Sequence, residues 1–356
     1  MNDSEILINQ SIDKLSLKLE KLNLDDLTVS EYNKRYLKDY INNLSFFMPL
    51  YKGLLEKVID KLSKPIIESS FVDYGGGCGL LSFLAIELGF EKVIYNDIYQ
   101  VSVDDIKVIS NALNLKIDYF VSGDVSQFIR VINQNKIKVD HICSFDVLEH
   151  IYDLEDWFTE INQIPKPFSL CFMTSANSSN PIIHQKLKKI HYNAEYVGTS
   201  IQKGWKERDS NLPFLEIRKN IISKNITNVS QETITKLAKN TRGLFGVDIL
   251  KHAKEQLNTI SFKNKNKHAT NTCDPLTGNW AEHIIDLNNL RKKIENKKTS
   301  VQFTNSFYSY SDNRVLNIPK FIMNFLMRMF GKKNLFFSPS YTLEVIYKQD
   351  DSIRKK

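Results

Sequence analysis

The stretch Phe71–Gly79, FVDYGGGCG, decides how the rest of the chain reads. Two apolar residues, Phe71 and Val72, meet an acid, Asp73, and then a turn carrying Gly75, Gly76, Gly77 and Gly79. The apolar run LLSFLAIEL follows and stops at Gly89. Strand, glycine turn and helix in this order bring backbone N–H groups close to a nucleotide-like ligand. Glycine permits positive φ and leaves no Cβ between backbone and ligand. A tight strand-to-helix turn that holds no ligand uses the same residues, so the flanking sequence has to decide.

Downstream, short apolar runs alternate with helical patterns. KVIYND predicts strand 2 ending at Asp97, IDYFVSGD strand 3 with Asp124 at its end, KVDHICSFD strand 4 ending at Asp146, and FSLCFMTSAN strand 5. Helical segments lie between them, which implies right-handed crossovers and a mostly parallel, doubly wound α/β sheet. Ligands of such sheets lie beyond the carboxyl ends of the strands. The acids at those ends are therefore the residues to weigh, although an isolated Asp after a strand is commonly a helix cap.

Asp73, Gly75, Gly77 and Gly79 match acid-x-Gly-x-Gly-x-Gly, and the stretch resembles motif I of the class I S-adenosylmethionine (SAM) methyltransferases. Its spacing and its leading acid differ from the dinucleotide pattern G-x-G-x-x-G. The resemblance implies a Rossmann-like sheet of seven strands with strand 7 antiparallel, and SAM as cofactor. It implies that Asp73 orders the turn or reaches the methionine amino group through water. Asp97 would accept from the ribose hydroxyls, Asp124 from the adenine amine, and Val125 would supply the adjacent N–H. Ile98 and Val125 would sandwich the ring, and Asp146 would complete the cofactor set.

Strand 4 and its exit, ICSFDVLEHIYDLEDWF (142–158), resemble the D/E-V-L-E-H segment of ubiquinone-type O-methyltransferases. The N/D-P-P-Y/F motif of enzymes acting on exocyclic base amines is absent, which argues against a base N-methyltransferase. A hydroxyl acceptor benefits from a general base, and His150 is the first candidate, with His283 the second. Each has a plain alternative as a structural histidine. His184 and His191 are weaker candidates. In related enzymes an E-x-x-E-H segment places a divalent ion beside the acceptor hydroxyl, and D-x-x-E-H here puts Asp146, Glu149 and His150 on one helical face. Asp146 is shorter than the glutamate it replaces, and no metal ligand is assigned. Asn177, Asn180, Asn279, Trp280 and Glu282 are placed to line a pocket for a polar or sugar-like acceptor, or to serve as turn and cap residues.

The remaining sequence sets the domain plan. Residues 1–64 form a helical cap, with Ile8, Ile12, Leu15, Leu19 and Leu22 at helical spacing and Tyr32, Tyr36, Tyr40, Phe46, Phe47 and Tyr51 following. The first helix packs on the domain or forms a homodimer. Residues 65–180 are the first part of the SAM core. A polar, helical and loop-rich insertion fills 181–274, including FKNKNKH at 262–268. Residues 275–348 complete the core, with SPSYTLEVIYKQ alternating as strand 7, and 349–356 is a flexible tail.

Among 356 residues, 42% are hydrophobic and 25% charged, an ordinary globular balance, with a net charge of +7 that gives only weak reason to expect nucleic acid. No two of the four cysteines have C-x-x-C spacing, which excludes the usual zinc and redox motifs. The start MNDSEILINQ has neither a basic region nor a long apolar core, and the expectation is a cytoplasmic protein. Two rival functions stay open. The segment IPKFIMNFLMRMFGKK (318–333), apolar on one face and basic at its ends, suits a membrane-surface enzyme with a lipid-linked acceptor, or a helix packed on the sheet. The other rival is a degenerate SAM-binding partner subunit.

Overall fold

The computed structural model describes residues 3–198, 211–258, 269–310 and 314–349. Seven strands form one sheet in the order β3-β2-β1-β4-β5-β7-β6. They are β1 (Ser70–Tyr74), β2 (Lys92–Asp97), β3 (Tyr119–Ser122), β4 (His141–Phe145), β5 (Phe168–Thr174), β6 (Thr299–Asn305) and β7 (Tyr341–Tyr347). The first five run parallel, while β7 is antiparallel to both β5 and β6. The strand order reverses between β1 and β4, so the crevice of the sheet opens beyond the ends of β1, β2 and β4. β1 and β5 are buried along their whole length, as strands covered on both faces must be.

Contacts divide the chain into two compact units, one of 1–148, 155–175 and 286–356, the other of 149–154 and 176–285. The first holds the sheet. Its N-terminal helices are α1 (Asp3–Glu20), α2 (Glu31–Asn42) and α3 (Leu44–Ile59), and α4 (Leu80–Leu88), α5 (Gln100–Leu113), α6 (Val125–Gln134) and α7 (Leu154–Ile161) follow strands 1 to 4. Ile8, Leu15 and Leu19 of α1 are fully buried and belong to the main core with residues of α3 and α4. These three positions of the helical stripe are thus covered within the unit. Asp105 on α5 holds the start of α2, accepting from Ser30 N (3.0 Å) and Asn33 Nδ2 (2.7 Å). All four cysteines are buried and unpaired in disulfides, and burial pushes each thiol upward, as expected of small apolar residues.

The second unit contains α8 (Pro181–Tyr192), α9 (Phe214–Asn225), α10 (Gln231–Asn240) and α11 (Val247–Leu257). Leu215, Ile222, Ile234, Leu237 and Ile249 form its apolar core. Fully buried Arg218 pairs with Glu195 and donates through Nε to Ala238 O at 2.9 Å. The unit extends beyond 181–274. Asn271 ties its loop to Ile284 by two hydrogen bonds, and Trp280 bridges to Cys273, so residues up to 285 belong with it. After it come α12 (Leu287–Ile294), β6, α13 (Arg314–Phe330) and β7 in the first unit. The FKNKNKH stretch and the end of the chain lie outside the described residues, and no described helix is long and apolar enough to cross a membrane.

Candidate active site

The glycine turn is built by four different constraints. Gly75, Gly77 and Gly79 all have positive φ (70°, 52° and 75°). A Cβ on Gly75 would come within 2.6 Å of Val147, and one on Gly76 within 2.5 Å of the Tyr95 ring. A Cβ on Gly79 would collide with Ile106 of α5. Only at Gly77 would a Cβ meet nothing within 4 Å. Three glycines let the turn pack against its own neighbours, while Gly77 leaves an open cradle.

Asp73 is buried at the end of β1 and turns toward α4. Its Oδ2 accepts from Ser82 N (2.9 Å) and Ser82 Oγ (2.8 Å). A side chain from the preceding strand thereby satisfies one of the otherwise unpaired N–H groups of the first helical turn. Burial raises the Asp73 carboxyl to about 7, against the lowering effect of the Ser82 bonds. Both of these contacts tie Asp73 to the first turn of α4.

Asp97 sits at the end of β2, nearly buried. Its Oδ2 accepts from Gly77 N (3.1 Å) and its Oδ1 from Tyr99 N (2.9 Å). Asp97 thereby ties the glycine turn to the residues that follow β2. Asn96 ties the neighbouring strand ends, donating to Val121 O (3.3 Å) and Gly123 O (3.1 Å), and Tyr95 donates its hydroxyl to Gly77 O (2.6 Å). Ile98 is exposed. Asp124 is exposed and caps α6 through Gln127 N (3.0 Å), with half-buried Val125 as the first helical residue. Asp146 follows β4 in a left-handed conformation (φ 53°), which is costly for a residue with a Cβ. Its N–H donates to Met173 O (2.9 Å) and its Oδ1 accepts from Ser175 N (2.7 Å), joining the ends of β4 and β5.

A second cluster lies in the other unit. A short turn of 3-10 helix, Leu148–His150, leaves β4 and carries Glu149 and His150. Glu149 is fully buried, and its carbonyl accepts from His283 N at 3.1 Å. His150 Nδ1 lies 2.9 Å from Trp280 O. A carbonyl only accepts, so Nδ1 carries a proton in this contact. The ligand-type atoms of Glu149, His150 and Glu282 all lie within 4.8 Å of one another. Glu282 joins them from 132 residues away in the chain, in a left-handed conformation (φ 62°). The D-x-x-E-H reading named Asp146 as the third member of such a group; the structure supplies Glu282.

The supports of this cluster are aromatic and histidine side chains. The His283 ring stacks on Trp280 (4.4 Å between centroids, 16°), which in turn donates its indole N–H to Tyr152 O at 3.0 Å. His191 is fully buried, with Nδ1 3.1 Å from Thr270 Oγ1 and Nε2 2.8 Å from Glu282 O, which makes it a brace for Glu282. Asn180 caps α8 through Ile182 N (2.9 Å), Asn177 accepts from Ser179 N (3.2 Å), and Trp280 has its polar group engaged. These bonds of Asn177 and Asn180 are local turn and cap bonds, whereas those of Trp280 reach residues about 130 positions away. No sequence pattern pointed to Tyr95, Asn96 or Val147 around the glycine turn. Each acts through a contact set by strand register or a crossover, which spacing does not display.

No protein-family model and no curated protein matches the chain. Solved structures do. An S-adenosylmethionine-dependent methyltransferase from Clostridium acetobutylicum ATCC 824 is 12% identical with a TM-score of 0.45, covering 88% of this chain and 98% of that one. One described as a putative S-adenosylmethionine-dependent methyltransferase from Listeria monocytogenes is 9% identical (TM-score 0.39), covering 84% and 98%. A SAM-dependent methyltransferase from Agrobacterium tumefaciens is 15% identical (TM-score 0.27) over 35% of this chain, which spans 42% of its length.

Proposed function

We propose that the chain is a SAM-dependent methyltransferase whose acceptor is an oxygen of a small polar or sugar-like molecule. The observation that carries the reading is the Gly77–Asp97 cradle at the carboxyl ends of β1 and β2. There a glycine with open space above it is held through its N–H by a carboxylate at the end of the neighbouring strand. Asp97 would accept from the two ribose hydroxyls, and Asp124, Val125 and Ile98 would serve the adenine. Gly75, Gly77 and Gly79 would let the backbone approach the methionine end, with Asp73 holding the turn. Asp146, fixed by Ser175 N, would complete the set.

When bound, SAM supplies a sulfonium methyl group for in-line displacement. The chain's task is then to position the acceptor, exclude water and take one proton. His150 is the residue assigned to take it, with the Nδ1–H···O bond to Trp280 orienting its ring. His283, stacked on Trp280, stabilises that arrangement. Calorimetric titration with S-adenosylhomocysteine tests the reading. Wild type should bind, and Asp97→Ala should bind about a hundredfold more weakly through loss of two charge-assisted hydrogen bonds. No heat with folded wild type overturns the proposal.

The Glu149–His150–Glu282 group supports a second reading, in which these residues hold a divalent cation. Two carboxylates and one imidazole suit such an ion, and a ligating histidine typically donates its other N–H to an oxygen, as His150 does here. The ion would act as a Lewis acid on the acceptor hydroxyl. Titration of the protein with Mn²⁺, with Glu149→Gln and Glu282→Gln as controls, decides between the two. Absence of binding to wild type leaves His150 as the base acting alone.

A further inference from the structure

Helix α13 is mounted with its apolar side outward. Val315, Ile318, Ile322, Phe325 and Met329 follow one another at spacings of three and four, so they share one face, with Phe321 beside them. All six are more than half exposed, from 51% for Ile322 to 73% for Val315. The side turned to the protein is more polar than this. Asn324 is 8% exposed and clasps the preceding loop, accepting from Tyr308 N (2.7 Å) and donating to Tyr308 O (3.0 Å). Met327 is its buried apolar neighbour. The side with Met323, Asn324, Leu326 and Met327 is covered by the protein, while the wider apolar face is left exposed.

The charge around the stripe is one-sided. From Arg314 to Ser340 there is no Asp or Glu, while Arg314, Lys320, Arg328, Lys332 and Lys333 are all basic. Arg328, Lys332 and Lys333 are exposed near the C-terminal end of the stripe, where Phe330 and Phe336 add further exposed rings. An apolar stripe edged by cations and free of acids complements an anionic lipid surface, with acyl chains meeting the stripe and phosphates meeting the cations. The helix is too short and too polar to cross a bilayer. We infer that α13 is an in-plane anchor that seats this protein on anionic membranes. The stripe itself enters the acyl boundary. The inference is independent of the methyltransferase reading, since no residue of the glycine turn or of the His150 cluster takes part.

The test is co-sedimentation of the full chain with vesicles of phosphatidylcholine, with or without phosphatidylglycerol. Wild type should pellet with the anionic vesicles and be released by salt. Phe321→Ser/Phe325→Ser should bind about tenfold more weakly or worse through lost apolar burial. Arg328→Gln/Lys332→Gln/Lys333→Gln should lose about a hundredfold through three removed cations. The substituted side chains are exposed, so both variants should unfold at the wild-type temperature. Wild type remaining in the supernatant with both vesicle types overturns the inference, as does equal pelleting of the phenylalanine variant. Sedimentation velocity reads the competing occupant. A wild-type dimer that the phenylalanine variant breaks, without vesicle binding, means that the stripe pairs with a second copy and the membrane assignment is wrong.

Discussion

Replacing Asp73 by asparagine should make the protein more stable at neutral pH, although Asp73 is the leading acid of the glycine motif. The carboxyl is 2% exposed, and its Oδ2 takes both Ser82 donors. Burial raises it to about 7 from an ordinary 3.8, and the nearby charge of Asp97 adds to the rise. Between these values the folded chain binds a proton that the unfolded chain has released. The contribution of Asp73 to stability is therefore complete at low pH and is lost as pH rises toward 7, at about 1.4 kcal/mol per pH unit. His141 opposes it. Burial lowers that imidazole to about 4, so its contribution is present above pH 6.5 and is lost as pH falls. The two slopes overlap and largely cancel in wild type, so the measurement has to be a difference. The asparagine amide offers one oxygen to both Ser82 donors without a charge to bury. Urea unfolding of both proteins without ligand should show the balance moving in favour of Asp73→Asn by about 3 kcal/mol between pH 4.5 and 7. A difference that stays constant within about 0.5 kcal/mol across that window would refute the reasoning, because Asp73 would then ionise in the fold as easily as in the unfolded chain.

The glycines should separate by phenotype. Gly75→Ala meets Val147 and a positive φ, and should cost about 2–3 kcal/mol, part of which Val147→Ala restores. Gly77→Ala has room, so thermal unfolding should show only the left-handed penalty of about 1–2 kcal/mol; calorimetry should show its larger effect on S-adenosylhomocysteine affinity. Arg218→Met leaves Glu195 with Thr272 Oγ1 at 2.7 Å and the Arg242 guanidinium at 4.0 Å. Denaturation should show a loss of about 3–5 kcal/mol, most of it recovered by adding Glu195→Gln, since the cost lies in stranding a buried charge.

The sheet was legible because its signals are local. β1, β4 and β5 are short runs buried along most or all of their length, and β1 to β4 each meet an acid or glycine where chain direction changes. Strand β7 was visible for another reason. Alternation of Tyr341, Leu343, Val345 and Tyr347 matches the register that pairs them with Thr174, Phe172, Leu170 and Phe168 of β5. The boundary of the second unit was less legible. Residues 275–285 carry the polar, glycine-containing composition of a return to the core, yet Trp280, His283 and Ile284 are fixed by partners at 149–152 and 271. A hydrogen bond across 130 residues leaves no trace in local composition.

The same distinction separates the two clusters. The glycine-turn cluster uses groups at adjacent strand ends, so Gly77 and Asp97 are twenty residues apart, a spacing set by one helix and one strand. The second cluster takes Glu149 and His150 from the turn after β4 and Glu282 from the far end of the second unit. Glu282 holds a left-handed backbone that glycine or asparagine would adopt at less cost, and His191, fully buried, spends one ring nitrogen on its carbonyl. A plain turn needs neither the strain nor the buried brace. Strain of this kind persists where the surrounding structure over-determines a side chain, and the side chain held here is a carboxylate beside Glu149 and His150. If Glu282 serves only the turn, Glu282→Gly should relieve the strain, stabilise the fold and leave Mn²⁺ binding untouched. If it is held for its carboxylate, the same change should stabilise the fold while abolishing binding.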